Sequence, residues 1–109
     1  MKMNEYQDLA MRTASNKNET TQNAILNAAL GLNGESWEIA DTVKKSLFQG
    51  HDLQIKELAK ELGDVMWYVA LGCKAIGYTM EEVAKMNIGK LKSRYPSGFS
   101  EENSINRED

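Results

Sequence analysis

The sequence predicts an all-α fold, and three observations lead to that class. Apolar residues recur every three or four positions over long segments, which is the period of an amphipathic helix. No segment alternates apolar and polar residues convincingly, as a half-buried strand would. The 109-residue chain has a single proline, Pro96, so no proline interrupts a helix before that position. We therefore expect one domain built as a four-helix bundle.

The first two helices are separated by a polar segment. Residues 4–14 carry apolar side chains at helical spacing, and a Ser-Asn-Lys-Asn cluster follows them. The second helix is expected over 21–48, because Thr20 and the residue after it are both suitable N-caps. Gly31 and Gly34 weaken this helix, so we expect a kink there or a close approach to a neighbouring helix.

The third helix is expected over 53–76. Gly50 ends the helix before it, because glycine readily adopts the left-handed conformation that follows a helix C-terminus. Asp52 is then a suitable N-cap for the new helix. Gly77 supplies the next stop for the same reason as Gly50.

The fourth helix is expected to begin after Thr79 and to reach about Ser93. Thr79 and Glu82 have the spacing of a capping box, in which each side chain accepts a hydrogen bond from the other residue's backbone N–H. Beyond the proline the chain is polar and acidic, with too few apolar residues to be expected to pack. We therefore predict a single helical domain over 1–96 and a flexible C-terminal tail over 97–109.

Composition limits the partners and the compartment. The formal net charge is -3, whereas a nucleic-acid-binding domain usually has a basic footprint, so we expect no nucleic-acid partner. The single cysteine, Cys73, cannot form an intrachain disulfide, which suits a reducing cytoplasm. The N-terminus lacks a secretory apolar run, and no segment reaches the ~18 apolar residues of a membrane span. We expect a soluble, cytoplasmic protein with no membrane partner.

Two pairs of acidic residues are the strongest functional signal. Glu35 and Glu38 lie on one face of the second helix, because residues three apart are neighbours on a helix surface. Glu61 and Asp64 share a face of the third helix for the same reason. Each pair is unfavourable on its own helix, since like charges repel at this spacing. The carboxylates therefore need positive partners from elsewhere.

Uncharged helix borders both pairs. Residues 20–34 and 65–73 contain no charged side chain, and a helix that is apolar on every side is normally buried. The carboxylates therefore lie at the margin of buried helix, and an all-oxygen ligand set selects Mg²⁺, Mn²⁺ or Ca²⁺ over Zn²⁺. The alternative at this point is an acidic surface patch neutralised by lysines of a neighbouring helix, for which the candidates are Lys44, Lys45 and Lys56.

Several short segments around the acidic pairs follow the order of a known family. The pairs stand in Gly-Leu-Asn-Gly-Glu over 31–35 and Glu-Leu-Gly-Asp-Val-Met-Trp-Tyr over 61–68. Asn-Ile-Gly-Lys-Leu over 87–91 then precedes Arg-Tyr-Pro over 94–96. This combination resembles the MazG-like nucleotide pyrophosphohydrolases over roughly residues 6–100. The resemblance implies a four-helix MazG-like bundle completed by homo-oligomerisation, as a homodimer or a homotetramer.

The resemblance also implies a reaction, a cofactor and site residues. The expected reaction is hydrolysis of a nucleoside triphosphate to the monophosphate and pyrophosphate, with Mg²⁺ as cofactor and Mn²⁺ as a substitute, in the clearance of unwanted nucleotides. The implied metal ligands are Glu35, Glu38, Glu61 and Asp64. We expect Glu38 also to orient or deprotonate the attacking water. The expected substrate contacts are Tyr68, Asn87, Lys90 and Lys45.

Some of these assignments have alternatives. Tyr68 is also placed to be a core tyrosine, and Lys45 to pair with Asp41 on its own helix. Two rival functions are open as well. One is another all-α pyrophosphohydrolase, dUTPase-like or acting on phosphoribosyl-ATP. The other is a non-catalytic helical dimerisation module whose carboxylates bind metal only for stability.

Overall fold

The computed structural model describes residues 1–107, which contain five α-helices and no β-strand. The helices are α1 (Met3–Met11), α2 (Thr21–Phe48), α3 (Ile55–Ala75), α4 (Met80–Arg94) and α5 (Glu101–Ile105). The all-α class is therefore confirmed, whereas α5 is an element that the polar composition of the tail did not predict. Within the described range, no helix has the length and apolar content needed to cross a membrane.

Most helix ends are those predicted. α2 has the predicted bounds, and the Thr20 hydroxyl accepts a hydrogen bond from the Asn23 N–H at 3.1 Å. The capping box of Thr79 and Glu82 is present at the start of α4. α1 is shorter than predicted and ends at Met11, where the chain passes into a short 3₁₀ turn over 16–18.

The predicted N-cap of α3 is wrong. Gln54, not Asp52, occupies the N-cap position, and its side chain makes no capping hydrogen bond. Residues 51–54 connect α2 to α3 without helical structure, so α3 begins at Ile55, two residues later than predicted. The predicted stops are confirmed, because Gly50 and Gly77 have φ angles of 73° and 83°.

One buried polar side chain ties α1 to the ends of α3 and α4. The amide nitrogen of Gln7 donates to the backbone carbonyls of Ala70 at 3.4 Å and Tyr78 at 3.2 Å. Its amide oxygen accepts a hydrogen bond from the Met80 N–H at 2.9 Å. A buried amide is tolerated when it is satisfied in this way. Gln7 therefore fixes where α4 leaves the bundle.

Two small clusters form the core. Ala24, Ala28 and Leu71 pack between α2 and α3, and a second cluster joins α1, α3 and α4. A Cβ added at Gly72 would stand 3.4 Å from the Cβ of Ala28, so small side chains bring the two helices close together. The second cluster consists of Ala10, Ala70, Cys73 and Met80.

The predicted close approach is confirmed at Gly31. A Cβ built at Gly31 would overlap the ring of Tyr68, whereas one built at Gly34 would meet nothing within 4 Å. Tyr68 also packs edge-on against Trp67, with ring centroids 5.0 Å apart. Gly31 is therefore the position at which an α3 ring lies directly against the α2 backbone.

The chain leaves much apolar surface uncovered. Its radius of gyration is 16.9 Å, whereas a compact domain of this length has one of about 13 Å. Leu30 is 71% exposed and Phe48 is 79% exposed, although both lie on the long central helix α2. The other strongly exposed apolar side chains of α2 are Leu26, Trp37 and Leu47.

The contact between Gly31 and Tyr68 makes a testable prediction. Gly31→Ala is expected to lower the free energy of unfolding by about 1–3 kcal/mol, because the new methyl group displaces a packed ring. Gly34→Ala is the matched control on the same helix, and it should raise that free energy by roughly 0.5–1 kcal/mol, since nothing opposes its methyl group.

Urea denaturation at fixed protein concentration measures both changes. The double variant Gly31→Ala with Tyr68→Leu should recover part of the lost stability, because the smaller side chain vacates the space. Equal effects of alanine at residues 31 and 34 would contradict the close approach.

Candidate functional site

The alignment of α2 and α3 determines which side chains can meet. Gly72 lies against Ala28, and the Tyr68 ring lies against Gly31, so the two helices run antiparallel. Continuing this register toward the connection between them by one to two helical turns brings the two acidic pairs opposite each other. The close packing at small residues thus leads directly to the site.

Three of the four predicted carboxylates come together. Glu35 and Glu38 from α2 and Glu61 from α3 each offer an oxygen, and these oxygens all lie within 4.8 Å of one another. We call these three residues the carboxylate cluster. Asp64 is exposed and is not among them. It still lies near the cluster, because its charge adds to the effect of burial in raising the pKa of Glu35.

Two oxygens of the cluster are buried without a partner. Oε2 of Glu35 and Oε2 of Glu61 have no hydrogen-bond donor in the described part of the chain. Glu38 is the exposed member, with its carboxylate open to solvent. Buried polar atoms normally have a partner, so these two oxygens are suited to contact a positive group.

The crowding of acids changes the protonation of Glu61. Hydrogen bonding to Glu38, followed by removal from water and the nearby charges of Glu38 and Glu35, raises its pKa from 4.5 to about 7. A carboxyl group with this pKa holds a proton for about half of the time near neutral pH. The proton takes the place of a cation in the cluster.

Two of the three lysines proposed to neutralise the acids, Lys44 and Lys45, form ion pairs elsewhere. Lys45 pairs with Asp41 at 2.9 Å, and Lys44 approaches the same carboxylate at 3.7 Å. Hydrogen bonding to Lys45 is the main reason why the pKa of Asp41 is lowered. Lys60 pairs with Glu57 at 3.2 Å. None of these ion pairs reaches the carboxylate cluster, so they do not support its neutralisation by lysine.

The donor set fits a hard divalent cation. The donors are all carboxylates, and two of their oxygens are buried without a hydrogen-bond partner. Hydrogen bonding to Glu38, burial and the charges of the neighbouring acids raise the pKa of Glu61. Oxygen-only sites of this type suit Mg²⁺, Mn²⁺ or Ca²⁺. A cation bound there would replace the proton of Glu61 and provide a partner for both buried oxygens.

The predicted substrate contacts lie in different surroundings. Tyr68 is half-buried against Gly31, which agrees with the core alternative and also places its ring one helical turn before Glu35 along α2. Asn87 and Lys90 lie on the exposed second half of α4. Helix α4 as a whole packs on α1 and α3 rather than along α2. Lys90 lines a cleft whose walls include none of the four acids.

Tyr6 is a neighbour of the site that the sequence did not indicate. Burial raises the pKa of its hydroxyl, and the charge of Asp64 adds to this increase. In the sequence, Tyr6 is one apolar position of the first helix. Its proximity to Asp64 arises only when α1 packs on α3, so no local pattern identifies it.

Known proteins resemble this chain over most of its length. The family model for the MazG nucleotide pyrophosphohydrolase domain matches residues 23–99, a range that includes both acidic pairs. The Gene 37 protein of Mycobacterium phage L5 is 39% identical over 82 residues, which cover 72% of this chain and 72% of that protein. No solved structure matches the chain. The chain belongs to the MazG nucleotide pyrophosphohydrolase family.

Proposed function

We propose that this protein is a Mg²⁺-dependent pyrophosphohydrolase that converts a nucleoside triphosphate to the monophosphate and pyrophosphate. The carboxylate cluster is the observation that carries the proposal, because it gathers three acids and leaves two buried oxygens without a donor. Membership of the MazG family supports the nucleotide as substrate.

Glu35, Glu38 and Glu61 are the residues that would hold the metal, with Asp64 at the edge of the site. A bound Mg²⁺ supplies positive charge that offsets the phosphates and stabilises the departing pyrophosphate. Mn²⁺, which accepts the same oxygen ligands, is expected to substitute. The close antiparallel packing of α2 on α3 would hold these ligands near one another.

We assign water activation to Glu38, and its exposure supports this assignment. It is the exposed member of the carboxylate cluster, so both water and substrate can reach it. In the proposed reaction Glu38 accepts a proton from water, the water oxygen bonds to the α-phosphorus, and the bond from that phosphorus to the bridging oxygen breaks. Pyrophosphate leaves with the bridging oxygen and its electron pair. A general base of this kind contributes roughly 10²–10⁴-fold to a rate.

Residues outside the cluster would contact the substrate. We assign Asn87 and Lys90 to the phosphates or the sugar, because their amide and ammonium groups are exposed on α4 and suit anionic oxygens. Tyr68 would present the edge of its ring beside the cluster. Lys45 is the least supported contact, because Asp41 already binds it at 2.9 Å.

The active form is proposed to be a homo-oligomer. Leu26, Leu30 and Trp37 lie along one side of α2 at helical spacing and are 51%, 71% and 59% exposed. Monomeric proteins rarely leave a continuous apolar surface of this kind in water. A second copy of the chain is the natural occupant, because the same surface on both partners is self-complementary in a two-fold dimer.

Turnover is the direct test of the proposed function. Purified protein with Mg²⁺ should release pyrophosphate, not orthophosphate, from at least one member of a panel of ribonucleoside and deoxyribonucleoside triphosphates that includes dUTP. Glu38→Gln should lower kcat at least about a hundredfold with unchanged helical circular dichroism. Glu57→Gln on α3 is the control and should retain activity, because Glu57 is exposed and outside the cluster. Absence of metal-dependent pyrophosphate from the whole panel would refute the proposal.

The pKa of Glu61 predicts how metal binding depends on pH. The folded pKa of Glu61, about 7, exceeds its ordinary value of 4.5. The contribution of Glu61 to the free energy of unfolding of the metal-free protein is therefore most favourable below about pH 4.5, and it is lost as the pH rises through about 7. Mg²⁺ must displace the proton of Glu61 below the pKa of that residue but not above it. We therefore expect Mg²⁺ to bind about tenfold more weakly at about pH 6 than at about pH 8.

Thermal melting at several Mg²⁺ concentrations measures this difference, because a ligand of the folded state raises the Tm. Glu61→Gln should abolish both the Mg²⁺ response and its pH dependence, whereas Glu57→Gln should keep both. A Mg²⁺ response of equal size at both pH values would contradict the assignment of Glu61 as a ligand.

Light scattering coupled to size-exclusion chromatography tests the oligomer. The wild type should elute as a dimer or tetramer, and Leu30→Glu should shift it toward monomer, because a charge at the centre of an apolar interface is costly to desolvate. Ile105→Glu on α5 is the control, since this side chain is 80% exposed and α5 is not among the elements that pack substantially on α2. A monomeric wild type would refute the proposed interface.

A further inference from the structure

The chain turns back on itself after α4. The Gly98 N–H donates to the Tyr95 carbonyl at 3.1 Å, and Gly98 has a φ of 92°, which a side chain would oppose. The rings of Tyr95 and Phe99 pack across this turn with centroids 5.3 Å apart. The Ser100 hydroxyl then caps α5 by accepting a hydrogen bond at 3.0 Å. This ordered turn returns the C-terminal segment toward the end of α4.

A cleft of about 490 Å³ lies between the two helices. Its volume is in the range of small-molecule sites, roughly 300–1,000 Å³. One wall is the end of α4 and the other is α5 with the residues that follow it. The polar side chains that line it are Lys90, Ser93 and Arg94 on the first wall and Asn103, Asn106 and Arg107 on the second.

The described lining of the cleft is polar and carries positive charge. Its described lining contains three cationic side chains, two amides and one hydroxyl, and no carboxylate. This is a strong local concentration of positive charge in a chain whose net charge is -3. Arg94 and Arg107 have further interactions of their own, but a guanidinium with several donors can bind an anion as well. Amides at fixed positions add directional hydrogen bonds to the charge.

We propose that α5 forms one wall of a binding cleft for a phosphate-bearing small molecule, either pyrophosphate or the phosphates of a nucleotide. The inference rests on the proposed function for its choice of ligand, because that reaction consumes a nucleoside triphosphate and releases pyrophosphate. It gives Asn103 and Asn106 a function in binding and makes the C-terminal segment part of this cleft, whose described lining includes none of the four acids. Lys90 lies across the cleft from these two asparagines. A small anion is a better ligand than a nucleic acid, because the chain as a whole has a net charge of -3.

Binding measured without metal separates this inference from catalysis. Isothermal titration with pyrophosphate, orthophosphate and a nucleoside triphosphate, each in EDTA, should show saturable binding to the full chain. Asn103→Asp should weaken it about tenfold or more, because a carboxylate placed in the cleft repels the ligand. This variant should fold normally, since a negative charge in the first turn of a helix is favourable. The order of affinity among the three ligands identifies which molecule the cleft prefers.

Two control variants carry the same change of charge outside the cleft. Asn16→Asp lies in the turn before α2, and Lys92→Gln lies on α4 facing a different part of the surface. Both should bind pyrophosphate within about twofold of the wild type, whereas Lys90→Gln should bind it several-fold more weakly. Nuclear magnetic resonance should also show shifts of the side-chain amide signals of Asn103 and Asn106 on titration.

Several outcomes would overturn the inference. These are no binding of any of the three ligands, equal affinity of wild type and Asn103→Asp, or equal losses in Asn16→Asp and Asn103→Asp. Tighter binding of a single-stranded oligonucleotide than of pyrophosphate would also refute a small-molecule ligand. If the chain binds pyrophosphate through α5 but no triphosphate is ever hydrolysed, the cleft stands and the proposed catalytic function fails.

Discussion

Small residues at the contact of α2 with α3 let the two helix backbones approach closely, and the acidic site depends on that approach. Ala28 meets Gly72, and Gly31 accommodates the Tyr68 ring. Larger side chains at these positions would push the helices apart. The carboxylates one to two turns further along would then separate as well. The same contact therefore determines both the packing of the core and the spacing of the functional oxygens.

This close packing forces like charges together, and that arrangement opposes folding in the absence of a ligand. The isolated chain reduces the repulsion through the raised pKa of Glu61, about 7, which favours the protonated form of that carboxyl group. It leaves one buried oxygen on each of Glu35 and Glu61 without a donor. A structure that keeps such groups, instead of replacing them by lysine pairs, is typical of a site that binds a cation. In the proposed enzyme, the carboxylates that bind the cation make the metal-free fold less stable.

Two parts of the chain surface lie outside the core, an apolar side of α2 and the second half of α4. α2 exposes apolar side chains over much of its length, which a second copy is proposed to cover. Met80 is the only buried residue of α4, so the helix is anchored at its start and extends away from the core. This extension gives α5 a surface on which to form the basic cleft. The acidic cluster and the cleft thus lie on different helix pairs, although Lys90 belongs to the proposed site.

The sequence alone determined the features that depend on neighbours along the chain. Periodicity and capping residues predicted all of α2, the capping box of α4 and the stops at Gly50 and Gly77, because these are local backbone preferences. The sequence also identified Glu35, Glu38, Glu61 and Asp64 as candidate metal ligands. Only the tertiary structure decided that Glu35, Glu38 and Glu61 meet while Asp64 stays at the edge, that Tyr6 lies near it, and that a polar tail folds as α5. These features depend on contacts between residues distant in sequence, which local preferences do not encode.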